Sequence, residues 1–184
     1  MTTNAFFDWQ TTKQFQNLAE TEEVCLGEKW KTQSGRCFRE AFIASRFAIY
    51  RKASLVRLFP PDGQTPTPDF AIQIDQTELW YEITEADRPG RKRGNEPPLI
   101  GVETVSQDEF ITSSDYQNVV CERSAAKAVK HYKKCDGLVI YANAFPISDQ
   151  EKMTGAWWRD ATVDARCRFS QVWVFDNQYF RLIS

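Results

Sequence analysis

The sequence predicts an α/β fold in which helices flank a mixed β-sheet, and three segments carry this prediction. Residues 35–53 repeat bulky apolar side chains at spacings of three to five, as an amphipathic helix does. Residues 137–143, GLVIYAN, form the continuous apolar run that is typical of a strand buried on both faces. Between them, residues 69–84 place two β-rich runs around a short polar turn, which is the layout of a hairpin. Helical and strand segments therefore alternate along the chain.

The composition indicates one folded domain, residues 1–184, in the cytoplasm. With 42% hydrophobic and 14% aromatic residues among 184, the chain differs from disordered proteins. It has neither a leader-like amino terminus nor an apolar run of the roughly 18 residues that a membrane span needs. Its five cysteines include no C-x-x-C pair, so we expect them to be reduced. A formal charge of −2 leaves any nucleic-acid binding to local patches.

The other elements are assigned from periodicity, turn residues and helix caps. Ser114 or Asp115 is a plausible cap for a helix that ends in lysines. The predicted elements, in chain order, are a helix over 9–25, a strand over 54–59, a long loop over 85–114, a helix over 115–134, a further helix over 149–167 and a carboxyl-terminal hairpin turning at Asp176–Asn177. A loop as long as 85–114 inside a domain is more often functional than not.

The hairpin brings two carboxylates together. If Gln76 and Thr77 form its turn, Ala71 lies opposite Glu82, and Asp69 lies diagonal to Glu82 at about 7–8 Å between backbones, on the same face. Neither turn residue is favoured in a type I′ turn, so a turn one residue longer stays open.

Two carboxylates at that separation can bind one divalent cation. Mg²⁺ or Mn²⁺ takes oxygen ligands, and Mg²⁺ often takes only one or two carboxylates and keeps water for its other positions. The structural alternative is that Asp69 caps a turn after Pro68 while Glu82 faces solvent.

The same residues carry a family resemblance. Pro68-Asp69, twelve intervening residues and then Glu82-Ile83-Thr84 stand in the order helix, strand, hairpin, helix, strand. This resembles the αβββαβ core of the PD-(D/E)xK, or restriction-endonuclease-like, nuclease superfamily over about residues 36–143. The resemblance implies that Asp69 and Glu82 hold the metal ion and that a lysine two residues after the glutamate assists the attacking water.

This chain departs from the motif at that lysine, because Thr84 stands in its place. The superfamily tolerates migration of the lysine to a neighbouring element, and Lys127 and Lys130, three residues apart on the predicted helix, are the replacements we expect. Glu40 matches an extra acidic residue near the metal site in many such nucleases. Ordinary solvated side chains are the alternative for all three.

A basic segment follows the Glu82 strand. Four cationic side chains fall within six residues, and they are Arg88, Arg91, Lys92 and Arg93. Such a cluster suits contacts with a phosphate backbone, although a solvated loop is an equal interpretation.

Two functions are therefore expected, and a third has less support. The first is a metal-dependent nuclease acting on DNA, and the second is a catalytically degenerate nuclease fold that serves as a nucleic-acid-binding or regulatory subunit, alone, as a homo-oligomer or with a partner. The third is an interaction protein that exposes Trp157 and Trp158. Catalysis by a Ser/His or Cys/His pair would depend on the one histidine, His131, and nucleotide-binding glycine loops do not occur.

Overall fold

The computed structural model confirms the α/β class, and it describes residues 3–26, 33–60, 66–87, 111–143, 147–176 and 179–183. Within those ranges lie five α-helices and a seven-stranded mixed sheet whose strand order, β1 to β7, follows the chain. The chain divides into two compact units. The first comprises Met1–Glu82 with His131–Asp136, and the second Ile83–Lys130 with Gly137–Ser184. The single-domain interpretation stays a prediction.

The first unit combines helices with antiparallel strands. Its elements are a 3₁₀ helix at Thr3–Phe7, β1 (Gln10–Thr11), α1 (Thr12–Leu26), α2 (Gln33–Tyr50), β2 (Leu55–Leu58), β3 (Phe70–Ile74) and the start of β4 (Thr77–Asp87). Antiparallel pairing joins β1 to β2, β2 to β3 and β3 to β4. The predicted helix over 35–53 and strand over 54–59 are confirmed with boundaries shifted by a few residues.

The core of the first unit explains why α2 carries its apolar stripe. Phe47 of α2 makes edge contacts with Phe70 of β3 and Tyr81 of β4, with ring centroids 5.7 and 4.8 Å apart. All three side chains are fully buried. The face of the sheet that carries Phe70 and Tyr81 therefore packs against α2.

The hairpin is confirmed, but its predicted register is wrong. The turn is Asp75–Gln76, with Ile74 paired with Thr77, so Ala71 lies opposite Trp80 and not opposite Glu82. Asp75 and Gln76 have φ angles of 47° and 67°. Two left-handed residues are what a type I′ turn requires, and this turn fits the twist of the strands although only the aspartate is a favoured residue there.

The second unit pairs parallel and antiparallel strands. Besides the end of β4 it contains α3 (Ser113–Ala128), β5 (Gly137–Asn143), α4 (Gly155–Ala161), α5 (Val163–Arg168), β6 (Gln171–Phe175) and β7 (Phe180–Leu182). β5 pairs with β6 in parallel, and β6 with β7 antiparallel. Leu138, Val139 and Ile140 of β5 have no exposed surface, as predicted for a strand covered on both faces.

Two helix predictions need correction. α3 begins after Thr112, whose hydroxyl accepts a hydrogen bond from the Asp115 amide at 3.1 Å, and it ends at Ala128 instead of residue 134. The helix expected over 149–167 is two helices, α4 and α5, separated at Thr162, whose hydroxyl donates to the Trp158 carbonyl at 2.8 Å. A threonine that bonds back to the preceding turn competes with regular helix geometry.

The tryptophan pair is not an exposed surface. Trp157 and Trp158 are both buried, and their ring centroids lie 6.1 and 6.5 Å from that of Tyr116. The hypothesis of an interaction protein that exposes these two side chains is therefore wrong. In the described part of the chain, none of the helices has the length and apolar character required to span a bilayer.

Candidate carboxylate site

Both carboxylates of the predicted metal site are buried in the first unit. Asp69 exposes 7% of its surface and Glu82 1%. Acidic side chains are rarely buried to this extent unless a partner compensates for the lost hydration. The alternative in which Glu82 faces solvent is therefore wrong.

The backbone at Asp69 departs from the regular ladder of the hairpin. In the ladder, Tyr81 is paired with Phe70. The amide of the preceding residue, Asp69, nevertheless donates to the Tyr81 carbonyl at 3.0 Å. The Asp69 carbonyl accepts from the Phe59 amide at 3.0 Å, so the residue stays attached to the chain after β2. A local offset of this kind, as in a β-bulge, redirects a side chain, and such offsets are frequent beside active sites.

The chain after α3 runs along β4 close to Glu82. Asp136 is bonded twice to Trp80: its amide donates to the Trp80 carbonyl and its carboxylate accepts from the Trp80 amide, both at 2.8 Å. The Lys134 ammonium donates to the Glu78 carbonyl at 2.9 Å. These bonds fix the segment His131–Asp136 against the strand that carries Glu82.

Tyr132, in that segment, connects the two carboxylates electrostatically. Its hydroxyl and Oε2 of Glu82 are both shielded from solvent. Burial raises the pKa of Tyr132 most, and the charges of Glu82, Cys135 and Asp69 raise it further. Tyr132 therefore stays protonated at neutral pH. Both carboxylates act on this one hydroxyl.

Sequence reasoning missed Tyr132, and the sequence contains no clear signal for it. The residue lies between His131 and Lys133, in a stretch that reads as the exposed end of a helix. Its burial follows from the early end of α3 at Ala128 and from the return of the chain to β4.

The two carboxylates fit a hard divalent cation that keeps much of its water. Asp69 and Glu82 are both buried, and one or two carboxylates are a common protein contribution to a Mg²⁺ site. Nowhere in the described ranges do three or more His, Cys, Asp or Glu side chains gather as a metal-binding group. Two carboxylates are fewer protein ligands than the three or four that zinc usually takes.

The other predicted site residues are distributed over both units. Glu40 is half-buried in α2 of the first unit, and its proximity to the metal stays a prediction. Lys127 lies in the last turn of α3, in the second unit, and its carbonyl accepts from the Lys130 amide at 3.2 Å. Thr84, at the position of the motif lysine, is buried. The basic segment lies outside the described residues; its members are Arg88, Arg91, Lys92 and Arg93.

Comparisons of the chain with protein-family models, with curated proteins and with solved structures found no match. The resemblance to the PD-(D/E)xK superfamily therefore rests on Pro68, Asp69 and Glu82 and on the order of the elements around them.

Proposed function

We propose that this chain is a cytosolic nuclease of the PD-(D/E)xK type that hydrolyses phosphodiester bonds, in DNA, with Mg²⁺ or Mn²⁺. The observation that supports the proposal is the burial of Asp69 and Glu82, whose charges both raise the pKa of the buried Tyr132. Keeping two carboxylates away from water is costly, and a divalent cation is the ligand that compensates for both charges at once. The observed order α2, β2, β3, β4, α3, β5 also agrees with the αβββαβ core.

Each residue of the proposed site has a distinct role. Asp69 and Glu82 bind the ion, and the buried, neutral hydroxyl of Tyr132 orients the Glu82 carboxylate electrostatically. When bound, the ion lowers the pKa of a coordinated water and neutralises charge on the phosphate. Lys127 or Lys130 assists the attacking water in place of the motif lysine, and Glu40 lies near the ion. The phosphate backbone is bound by the basic segment, which consists of Arg88, Arg91, Lys92 and Arg93.

A second function is supported by one specific observation. The motif lysine is replaced by Thr84, a buried neutral side chain, as expected of a site that has lost catalysis. The chain would then bind nucleic acid or regulate a partner subunit without cleaving DNA.

Cleavage assays on carboxylate variants test the first function. Single-turnover cleavage of end-labelled single- and double-stranded DNA would be followed with Mg²⁺, with Mn²⁺ and with EDTA. Loss of a residue that only supports a metal ligand lowers metal affinity or activity by about 10- to 100-fold. Loss of a ligand itself should have a larger effect, so Asp69→Asn and Glu82→Gln should each lower the cleavage rate by more than about 100-fold. Asp75→Asn, a change of the exposed carboxylate in the hairpin turn, is the matched control.

The outcomes separate the two functions. Cleavage that requires the metal and is lost only in the site variants supports the nuclease. Nucleic-acid binding without cleavage under any metal condition favours the degenerate subunit. Full cleavage in both Asp69→Asn and Glu82→Gln would mean that this carboxylate pair is not the catalytic metal site.

A further inference from the structure

A row of aromatic rings and cationic groups crosses β2 and β4 in the first unit. The Arg57 guanidinium lies 4.7 Å from the ring centroid of Trp9 and 4.8 Å from that of Phe59. Phe59 and Trp80 have their ring centroids 4.6 Å apart, and the Lys134 ammonium lies 4.9 Å from the Trp80 ring. We call these five side chains the aromatic row.

The aromatic row lies on the face of the sheet that carries Glu82. Arg57 is paired with Ala71, and Ala71 with Trp80, so all three project to one face. Glu82 is two residues beyond Trp80 on β4 and projects to the same face, opposite to the face that Tyr81 presents to α2. Trp80 therefore lies next to the proposed metal ligand along one strand.

The row is held in place and remains partly accessible. The Glu78 carboxylate accepts from Arg57 Nη2 at 3.1 Å and from Trp80 Nε1 at 2.6 Å. Trp9, Phe59 and Trp80 are half-buried, Arg57 exposes 27% of its side chain, and Lys134 is exposed. A set of rings that is partly open to solvent and flanked by cations, with the Trp80 ring held by a hydrogen bond, provides both parts of a single-strand binding surface, namely stacking and phosphate contact.

We propose that the aromatic row binds the unpaired bases of a single-stranded nucleic acid and leads the strand to the Asp69–Glu82 site. This inference rests on the proposed function and names its substrate class. Bases in a duplex are stacked on each other, so their faces cannot meet a protein ring unless they are unstacked. A base that stacks on Trp80 takes the place of the Lys134 side chain, whose ammonium then exchanges its bond to the Glu78 carbonyl for a phosphate contact, while the two Asp136–Trp80 bonds still hold the segment.

Binding measured without metal tests this inference separately from cleavage. Fluorescence anisotropy with a labelled oligothymidine and with a blunt duplex of equal length would be recorded in EDTA. The variants are Trp80→Leu, Phe59→Leu and Lys134→Met. The matched controls are Lys133→Met, which changes an exposed lysine beside Lys134, and Tyr179→Leu, which changes an exposed aromatic residue of the second unit.

We expect the wild type to bind the single strand more tightly than the duplex. Loss of one stacking ring should weaken single-strand binding by about tenfold or more, and Lys134→Met should reduce the steepness of its salt dependence. Both controls should bind as the wild type does. Circular dichroism would check the fold of Trp80→Leu, and Phe59→Leu and Lys134→Met keep the test decisive if that variant unfolds.

Equal binding of duplex and single strand with no effect of the three variants would overturn the inference, as would an absence of single-strand binding. Because EDTA removes the metal, neither result depends on whether the protein cleaves DNA. Conversely, single-strand binding that depends on the aromatic row, together with a failure to cleave, would support the row as a binding surface and contradict the nuclease function.

Discussion

Glu82 is the residue at which stability and the proposed function compete. A carboxylate with 1% exposure loses almost all of its hydration, and this loss is costly unless charge or hydrogen bonding compensates for it. A core chosen for stability alone would place an apolar or amide side chain here. A buried carboxylate at this position is what the proposed cation-binding site requires.

Tyr81 provides a test of the buried core between β4 and α2. Burial raises the pKa of Tyr81 to about 12, although the neighbouring Arg51 guanidinium acts in the opposite direction. In the unfolded chain a tyrosine has a pKa near 10, so it ionises at a lower pH in the unfolded state than in the folded state. The folded state therefore loses stability as the pH rises from about 10 to 12. This loss should reach about 3 kcal/mol at most, at 1.36 kcal/mol per pKa unit.

Urea unfolding at pH 8, 10 and 11.5 measures that loss. Tyr81→Phe should be less stable at pH 8 by about 1 kcal/mol, because the hydrogen bond from Arg51 is removed, but its stability should fall less at high pH. Tyr179→Phe changes an exposed tyrosine and should retain the wild-type pH dependence. A pH dependence in Tyr81→Phe as steep as that of the wild type would show that Tyr81 does not titrate late.

At the residue scale, local pattern predicts only part of the site. Asp69 and Glu82 are recognisable because a Pro-Asp pair precedes a hairpin and the glutamate stands in its second strand. Tyr132 is not recognisable, because its burial depends on the Asp136–Trp80 bonds between segments 56 residues apart. Periodicity within a helix or strand carries no information about such contacts.

At the element scale, the hairpin shows which property of a strand pair the sequence predicts and which it does not. The alternating β-rich runs predict the two strands, whereas the register depends on which residues accept positive φ. Asp75 reads as the end of the first strand, but it adopts φ of 47° and becomes the first turn residue. The register moves by two residues, so each side chain keeps its face while its partner changes.

The same turn gives a stability prediction. Gln76 is exposed and has φ of 67°, a conformation that costs a residue with a Cβ atom about 1 kcal/mol. Gln76→Gly should therefore raise the free energy of unfolding by about 0.5–1 kcal/mol in urea titrations. Thr77→Gly, in the adjoining strand position, should lower it. Destabilisation by Gln76→Gly would contradict the assigned turn.

The end of α3 carries the prediction about the missing motif lysine. If the protein cleaves DNA, Lys127→Met or Lys130→Met should lower turnover far more than substrate binding, since a group that acts mainly in the transition state affects kcat. Lys127 is the first choice because it lies within α3, whereas Lys130 follows its end. Single-turnover rates and substrate affinity would be measured together.

Arg123→Met, which removes an exposed cation from the same helix, is the control for these variants. Wild-type rates in both methionine variants would refute a migrated lysine. A higher rate in Thr84→Lys would instead indicate a degenerate natural site, and the binding or regulatory function would then be preferred.

At the scale of the whole molecule, the order of helices and strands follows from the sequence more reliably than the interruptions within it. β5 is predicted over the same range as observed, because an uninterrupted apolar run of this length is typical of a strand buried on both faces. The break between α4 and α5 falls at Thr162, whose hydroxyl bonds to the Trp158 carbonyl, and the short strand Gln10–Thr11 is defined by its pairing with Val56 and Leu55. Neither feature has a periodic signal.

Calorimetric titration with Mn²⁺ and Mg²⁺, in the absence of nucleic acid, tests whether Asp69 and Glu82 form a metal site. We predict that the wild type binds the ions and that Asp69→Asn and Glu82→Gln each abolish the heat signal while circular dichroism shows an unchanged fold. Asp75→Asn should bind as the wild type does. Undiminished metal binding in both site variants, or no binding by the wild type, would contradict the proposed metal site.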